Sequence, residues 1–174
     1  VLDSGVGGLS VLREIHRTLP AVPTLYYADQ GHLPYGPRSA EEIRAYVERI
    51  ADFLIREGAV MIVLACHAAS AAALEPLRAR YPGLPIVGIE PAVKPAAEAT
   101  RSGVIGVLTT QATAEGALYQ RVVARYAAHV RVITRIAPEL VTLVEAGGQH
   151  ETAGDAALRA CVEPLIAEGA DQIV

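Results

Sequence analysis

Apolar residues along the chain follow two rhythms. Short runs with almost no polar interruption fall at Thr24 to Ala28, Val60 to Ala65, Pro85 to Ile89, Val104 to Leu108 and Val130 to Ile136. Such runs read as strands covered on both faces of a parallel sheet. Longer stretches between them repeat at helical spacing. From Ala40 to Glu57, Ile43, Val47, Ile50 and Leu54 fall on one face, as in a helix half-turned to a core. Ser39 stands just before this stretch with Glu42 three residues on, a capping-box signature, and Gly58 follows as a stop. Further helices are expected over Leu9 to Leu19 and from about Ala69 to Ala79. The alternation predicts an α/β fold with a largely parallel sheet.

Pro82, Pro85, Pro91 and Pro95 cluster mid-chain, and a boundary near Glu90 divides the chain into two similar α/β halves. An internal echo supports the division. Gly58-Ala59-Val60-Met61-Ile62-Val63 matches Gly169-Ala170-Asp171-Gln172-Ile173-Val174, and the first copy runs on into Cys66. Val1-Leu2 reads as the end of a strand and Asp171 to Val174 as the start of one, so the expectation is a piece of a longer protein.

Composition narrows the function classes. Of 174 residues, 52% are hydrophobic and 20% charged, enough to bury a core. No apolar run reaches the roughly 20 residues of a membrane span, so no membrane partner is expected. Net charge is −4 with both signs interspersed, and without a basic stripe no nucleic-acid partner is expected. The N-terminus shows no charged segment followed by an apolar one. Cys66 and Cys161 lie far apart in unlike surroundings, which argues against a disulfide framework and for the cytoplasm. Neither belongs to a Cys-x-x-Cys, and His16, His129 and His150 lack partners at metal-ligand spacing, so no metal site is expected.

Four segments carry candidate chemistry. Asp3-Ser4-Gly5-Val6-Gly7-Gly8 links a strand end to a helix, where glycines let backbone approach a ligand and the helix N-terminus favours an anion. It is neither a dinucleotide fingerprint nor a P-loop, and a tight turn with Asp3 capping the helix explains it equally. Pro34-Tyr35-Gly36-Pro37 sits in a polar loop after the second strand, either a rigid turn or a place where Tyr35 offers its hydroxyl or backbone. Cys66 ends a strand and precedes a helix, whose dipole is expected to lower its pKa, with the adjacent His67 adding positive charge. A buried structural thiol is the alternative. Thr110 and Thr113 follow another strand and either bind a carboxylate or cap a helix. Cys161, in a helical pattern with Leu158 and Leu165, reads as core packing.

Together these segments resemble the glutamate racemase family. Val1 to Leu12 (VLDSGVGGLSVL) is similar to the family's opening strand and loop. Tyr26-Tyr27-Ala28-Asp29, Pro34-Tyr35-Gly36, Ala65-Cys66-His67-Ala68-Ala69-Ser70-Ala71, Gly88-Ile89-Glu90-Pro91, Thr110-Gln111-Ala112-Thr113 and Pro138-Glu139-Leu140-Val141 follow in the family's order. The resemblance implies two similar α/β domains, each with a mainly parallel sheet flanked by helices, and an active site in the cleft between them. The fold would be incomplete here. Residues 1–90 would form the first domain, completed by the strand starting at 171 and residues beyond the end. Residues 91–170 would form the second.

It also implies an enzyme without metal or other cofactor that interconverts L- and D-glutamate, supplying D-glutamate for peptidoglycan, and a homodimer at full length. One thiolate would remove the α-proton and a second thiol return one to the opposite face, since inversion needs a base and an acid on opposite sides of the carbon. Cys66 matches the first cysteine, and the second would lie beyond Val174. Asp3, Ser4, Tyr35, Gly36, His67, Ala68 and Thr113 match substrate-holding positions. Residues 1–174 alone are expected not to racemise. Two departures stand out: the family's Asn-Thr after the first cysteine is His67-Ala68, and its Cys-Pro-Glu-Leu is Ala137-Pro138-Glu139-Leu140. They keep open another enzyme of the aspartate/glutamate racemase superfamily (an aspartate or hydantoin racemase, or an arylmalonate decarboxylase) or a non-catalytic homologue.

Overall fold

Ser39 Oγ accepts the Glu42 amide at 3.2 Å, and Glu42 Oε2 accepts the Ser39 amide at 3.0 Å. This capping box starts helix α2 (Ala40–Arg56), whose stripe Ile43, Val47, Ile50, Ala51 and Leu54 is buried. The computed structural model describes residues 1–150 and 152–174. They divide into two compact units, Val1–Ile89 and Glu90–Val174.

In the first unit, α2 packs against α3 (His67–Arg80). The alanines of α3 let the two helices approach closely, and Leu74 and Leu77 fill the remaining space. The sheet runs in the order β2-β1-β3-β4, with β1 (Leu2–Asp3), β2 (Tyr27–Ala28), β3 (Ile62–Leu64) and β4 (Ile86–Gly88), all parallel. Leu2, Ile62, Leu64 and Ile86 are buried, each contributing roughly 1.5–3 kcal/mol by leaving water. Two expectations need correction. The strands are shorter than the apolar runs, leaving Val60 and Met61 exposed ahead of β3. Nor is every strand covered on both faces, because β4 lies at the sheet edge with Val87 exposed. Helix α1 (Leu9–Thr18) is amphipathic yet buries none of its residues.

The second unit has a parallel sheet in the order β6-β5-β7, with β5 (Val104–Thr109), β6 (Arg131–Ile136) and β7 (Gln172–Ile173). Helices α4 (Val93–Ala99), α5 (Gln111–Glu115), α6 (Ala117–Tyr126), α7 (Pro138–Glu145) and α8 (Thr152–Ala167) accompany it. Val93, Ile105, Val107, Leu118, Tyr119 and Val122 anchor its core. Strand β6, also at an edge, has no fully buried residue, again unlike the two-faced burial expected. Cys161 and Leu165 are buried as core, whereas Leu158 is exposed.

The strand expected to complete the first domain joins the second sheet instead. Gln172 and Ile173 pair with Ile105 and Gly106, and Leu108 donates its amide to Val174 O at 2.7 Å. Gly106 makes this possible, since a Cβ there would stand 2.9 Å from Ile173 Cδ1 and 2.8 Å from Leu165 Cδ1. The sequence echo has a structural meaning. After α2, Ala59 and Gly58 donate to Leu54 O and Ile55 O; after α8, Ala170 and Gly169 donate to Leu165 O and Ile166 O. Gly58 (φ 90°) and Gly169 (φ 97°) adopt the left-handed conformation this helix stop requires. Each stop leads into a strand that pairs with the first strand of its own sheet.

Asp171, just before β7, locks the chain to the loop ahead of β5. Its carboxylate accepts the Thr100 hydroxyl and the amides of Arg101 and Ser102, at 2.7 and 2.9 Å for the amides. These donors hold its pKa down at about 2, against an ordinary 3.8. A depressed carboxylate stabilises the fold above its unfolded value, and that contribution drains as pH falls from about 4 towards 2. Asp171→Asn is therefore expected to lower the urea midpoint at pH 6, with the difference from the parent shrinking by pH 3. A difference that is constant across that range would contradict this account.

Candidate active site

Strand β1 lies between β2 and β3, so the loops leaving the carboxyl ends of these three strands are neighbours. That edge is where ligands bind in parallel α/β sheets. The loops begin at Asp3, Asp29 and Ala65, and they carry six of the seven residues proposed to hold substrate, together with Cys66.

Asp3 is buried, 5% exposed. Its Oδ2 accepts the Gly8 amide at 2.8 Å and the Gly5 amide at 3.3 Å, closing the turn that starts α1. Tyr26 braces the same turn, its hydroxyl donating to Gly5 O at 2.8 Å and reaching Asp3 Oδ2 at 3.5 Å. Gly8 has no room for a side chain: a Cβ would stand 2.7 Å from Asp3 Cβ, 2.8 Å from the Tyr26 hydroxyl and 3.0 Å from Ala65 Cβ. Asp3 thus holds the tight turn ahead of α1 but does not cap the helix as expected, since Gly8 is the N-cap and no side chain bonds the first-turn amides; its charge also acts on the Cys66 thiol.

The second loop is organised around Asp29, also buried. Tyr35 donates its hydroxyl to Asp29 Oδ2 at 2.6 Å, and His32 Nδ1 lies 2.8 Å from Oδ1. His32 stacks on Tyr46 at 4.0 Å, and Arg38 donates to His32 O at 2.7 Å. The Leu33–Pro34 peptide is cis. Tyr35 is 2% exposed, and burial, then Asp29, push its phenol far above the usual tyrosine range. Its hydroxyl therefore serves the loop. Gly36 beside it is half-buried.

Cys66 takes the N-cap position of α3, with Ala65 donating to Leu2 O at 2.7 Å just before it. Its half-buried Sγ lies 3.6 Å from Ser4 Oγ. The sequence expects the helix N-terminus to lower the thiol's pKa; the structure corrects this. Burial first, then the Asp3 charge, raise it, while the Ala69 amide and Ser4 pull downward without prevailing. A helix terminus contributes only partial charges, and here partial burial and a full carboxylate outweigh them. His67 opens the helix on the exposed side, whereas Ala68 is buried.

Thr113 belongs to the second unit, buried in the first turn of α5. Thr110 caps that helix, its side chain accepting the Thr113 amide, and the two hydroxyl oxygens lie 3.1 Å apart. Cys161 donates to Glu139 Oε1 at 3.1 Å and serves the core. Sequence reasoning missed Tyr26, Asp29 and His32 as the braces of the site. Their one signal is the density of hydrogen-bonding side chains between two strand-like runs. Among the described residues, no group of three or more His, Cys, Asp or Glu side chains is placed to hold a metal ion. No helix among them is long and apolar enough to cross a membrane.

Two outcomes follow from this geometry. Gly8→Ala is expected to cost about 1–3 kcal/mol in urea unfolding, because two of the three crowding atoms, the Cβ atoms of Asp3 and Ala65, are fixed to the backbone; unchanged stability would mean the turn is looser than described. Asp3→Asn removes a negative charge from beside the thiol. The pH midpoint for iodoacetamide alkylation of Cys66, read by mass spectrometry of its peptide, should then move down. An upward or absent shift would remove Asp3 as a cause.

A family profile described as Asp/Glu/Hydantoin racemase matches residues 4–174. A glutamate racemase from Ectopseudomonas mendocina is 55% identical over 174 residues, covering all of this chain and 66% of the relative. A crystal structure of a glutamate racemase isoform from Bacillus anthracis aligns with a TM-score of 0.87 and 34% identity, over 99% of this chain and 65% of that one. The Escherichia coli glutamate racemase, solved with L-glutamate and the activator UDP-MurNAc-ala, aligns at 0.85 and 35% identity, over 94% and 62%. The chain thus spans about two thirds of these relatives' length, 66% of the first. With a profile match running from the Asp3 turn to the final strand, and the thiol standing where β3 meets α3, the chain belongs to the Asp/Glu/Hydantoin racemase family.

Proposed function

We propose that the whole protein interconverts L- and D-glutamate without a cofactor, with Cys66 as one of two thiols that take and return the α-proton. The observation that carries this reading is the Cys66 thiol held beside Ser4 and Asp3 at the carboxyl edge of the sheet, in a chain 55% identical to a named glutamate racemase.

The raised thiol pKa suits the task. An amino acid's α-proton is held tightly, and the thiolate of a weaker acid is a stronger base. Burial and Asp3 make the Cys66 thiolate scarcer but more basic. Ser4, the backbone of Tyr35 and Gly36, and the amides of His67 and Ala68 at the start of α3 would hold the substrate. A helix N-terminus favours carboxylates. Asp3 would act beside them, and Thr113 would contribute from the second unit. The returning thiol would lie past Val174. In this reading the enzyme works in the cytoplasm as a homodimer and supplies D-glutamate to peptidoglycan.

His67-Ala68 supports a second reading, another racemase of the family or a decarboxylase acting on arylmalonates. The buried Ala68 methyl offers no hydrogen bond to a ligand, and selectivity for a polar substrate depends on such bonds. The whole protein is expected to exchange the α-proton of glutamate in D2O and to racemise it, and Cys66→Ala to lose at least about 10²-fold of both. Exchange that survives the substitution would remove Cys66 as the base. Turnover of aspartate, a hydantoin or an arylmalonate but not glutamate would favour the second reading.

A further inference from the structure

We propose that Ser70 is a positioning residue for Cys66, clamping the strand-to-helix corner that carries the thiol. Ser70 is 1% exposed, so it does not reach a ligand itself. It is the one polar side chain among the buried residues of α3, which are otherwise Ala68, Ala69, Ala73, Leu74 and Leu77. Packing alone would be served by alanine.

Two of its hydrogen bonds reach the corner and a third ties it to the end of β4. The Ser70 amide donates to Cys66 O at 2.9 Å. Its hydroxyl donates to Leu64 O at 3.3 Å, at the end of β3. The same oxygen accepts the Ile89 amide at 3.1 Å, just past β4. A serine inside a helix ordinarily bonds a carbonyl one turn back on its own helix. This one reaches out of its helix to two strand ends. Gly88 makes room for it: a Cβ there would stand 3.2 Å from Ser70 Oγ and 2.8 Å from Leu74 Cδ2.

The corner matters because the thiol's surroundings depend on where it stands. Cys66 Sγ meets the Ser4 hydroxyl at 3.6 Å, and the Ser4 and Ala69 backbones also bond it. Burial and the nearness of Asp3, the two causes that make the thiolate basic, both depend on the corner staying in place. With Ser70 removed, the thiol gains water and moves off Asp3.

The test uses the full-length protein. Ser70→Ala is expected to lower the pH midpoint of Cys66 alkylation and raise its rate at pH 7.5 at least about threefold, as a thiolate less shielded from water predicts. Gly88→Ala crowds the same hydroxyl from the β4 side and is expected to shift the midpoint in the same direction. Ile105→Val, a core change in the second unit, should leave it where it is. This part rests on geometry alone. The catalytic part rests on Cys66 being the base: kcat for glutamate should fall about tenfold in Ser70→Ala with KM within twofold, since misplacement of a reacting group weakens turnover more than binding. A parent that alkylates as described but never turns over glutamate sinks the proposed function and leaves Ser70's role intact. An alkylation profile unchanged in both Ser70→Ala and Gly88→Ala, or moved equally by Ile105→Val, overturns the proposal.

Discussion

Asp3 commits its buried carboxylate to the turn that begins α1, and the same charge faces the Cys66 thiol from the neighbouring strand end. Much of the first unit's functional edge follows from that pairing. The turn needs Gly8 bare, because Asp3, Tyr26 and Ala65 fill the space a side chain would take. It needs β1 between β2 and β3, so that the turn and the thiol meet. The result is a thiol harder to ionise than an ordinary cysteine and more basic once ionised. That combination fits proton abstraction from carbon better than nucleophilic attack, where an easily formed thiolate is the usual device.

The two units repeat one piece of construction. Each ends a long helix in a glycine-led stop, and each stop launches a strand that pairs with the first strand of its sheet. In the first unit that strand runs on to Cys66. In the second it runs to Val174, held by Asp171 behind it and by Leu108 and Gly106 beside it.

What was legible in the sequence was local. The start of α2 could be read from Ser39 and Glu42, because a capping box involves residues three apart. The place of Cys66 between an apolar run and a helix marked it as a candidate, with a buried structural thiol equally open, and its role as a base came only from the family resemblance. Strand lengths were overread, since an apolar residue such as Val60 looks the same to a periodicity argument inside or outside the ladder. The sheet chosen by the last strand was not legible. It depends on Gly106 yielding space to Ile173 and on the loop at Thr100 to Ser102 capturing Asp171, both distant in sequence. The sign of the Cys66 shift was misread for the same reason: the helix that lowers it is adjacent in the chain, while the carboxylate that raises it arrives through the fold.

The central claim is that the thiol of Cys66, made basic by burial and by Asp3, is the group that takes the α-proton. The most direct measurement is the pH dependence of kcat/KM for α-proton exchange from glutamate by the full-length protein, set beside the alkylation profile of Cys66 in the same preparation. The account predicts an acid limb that coincides with the Cys66 midpoint and lies above the ordinary thiol range, because the free enzyme's base must be ionised to react. An acid limb well below that midpoint would mean that a different group removes the proton, and the account would fail.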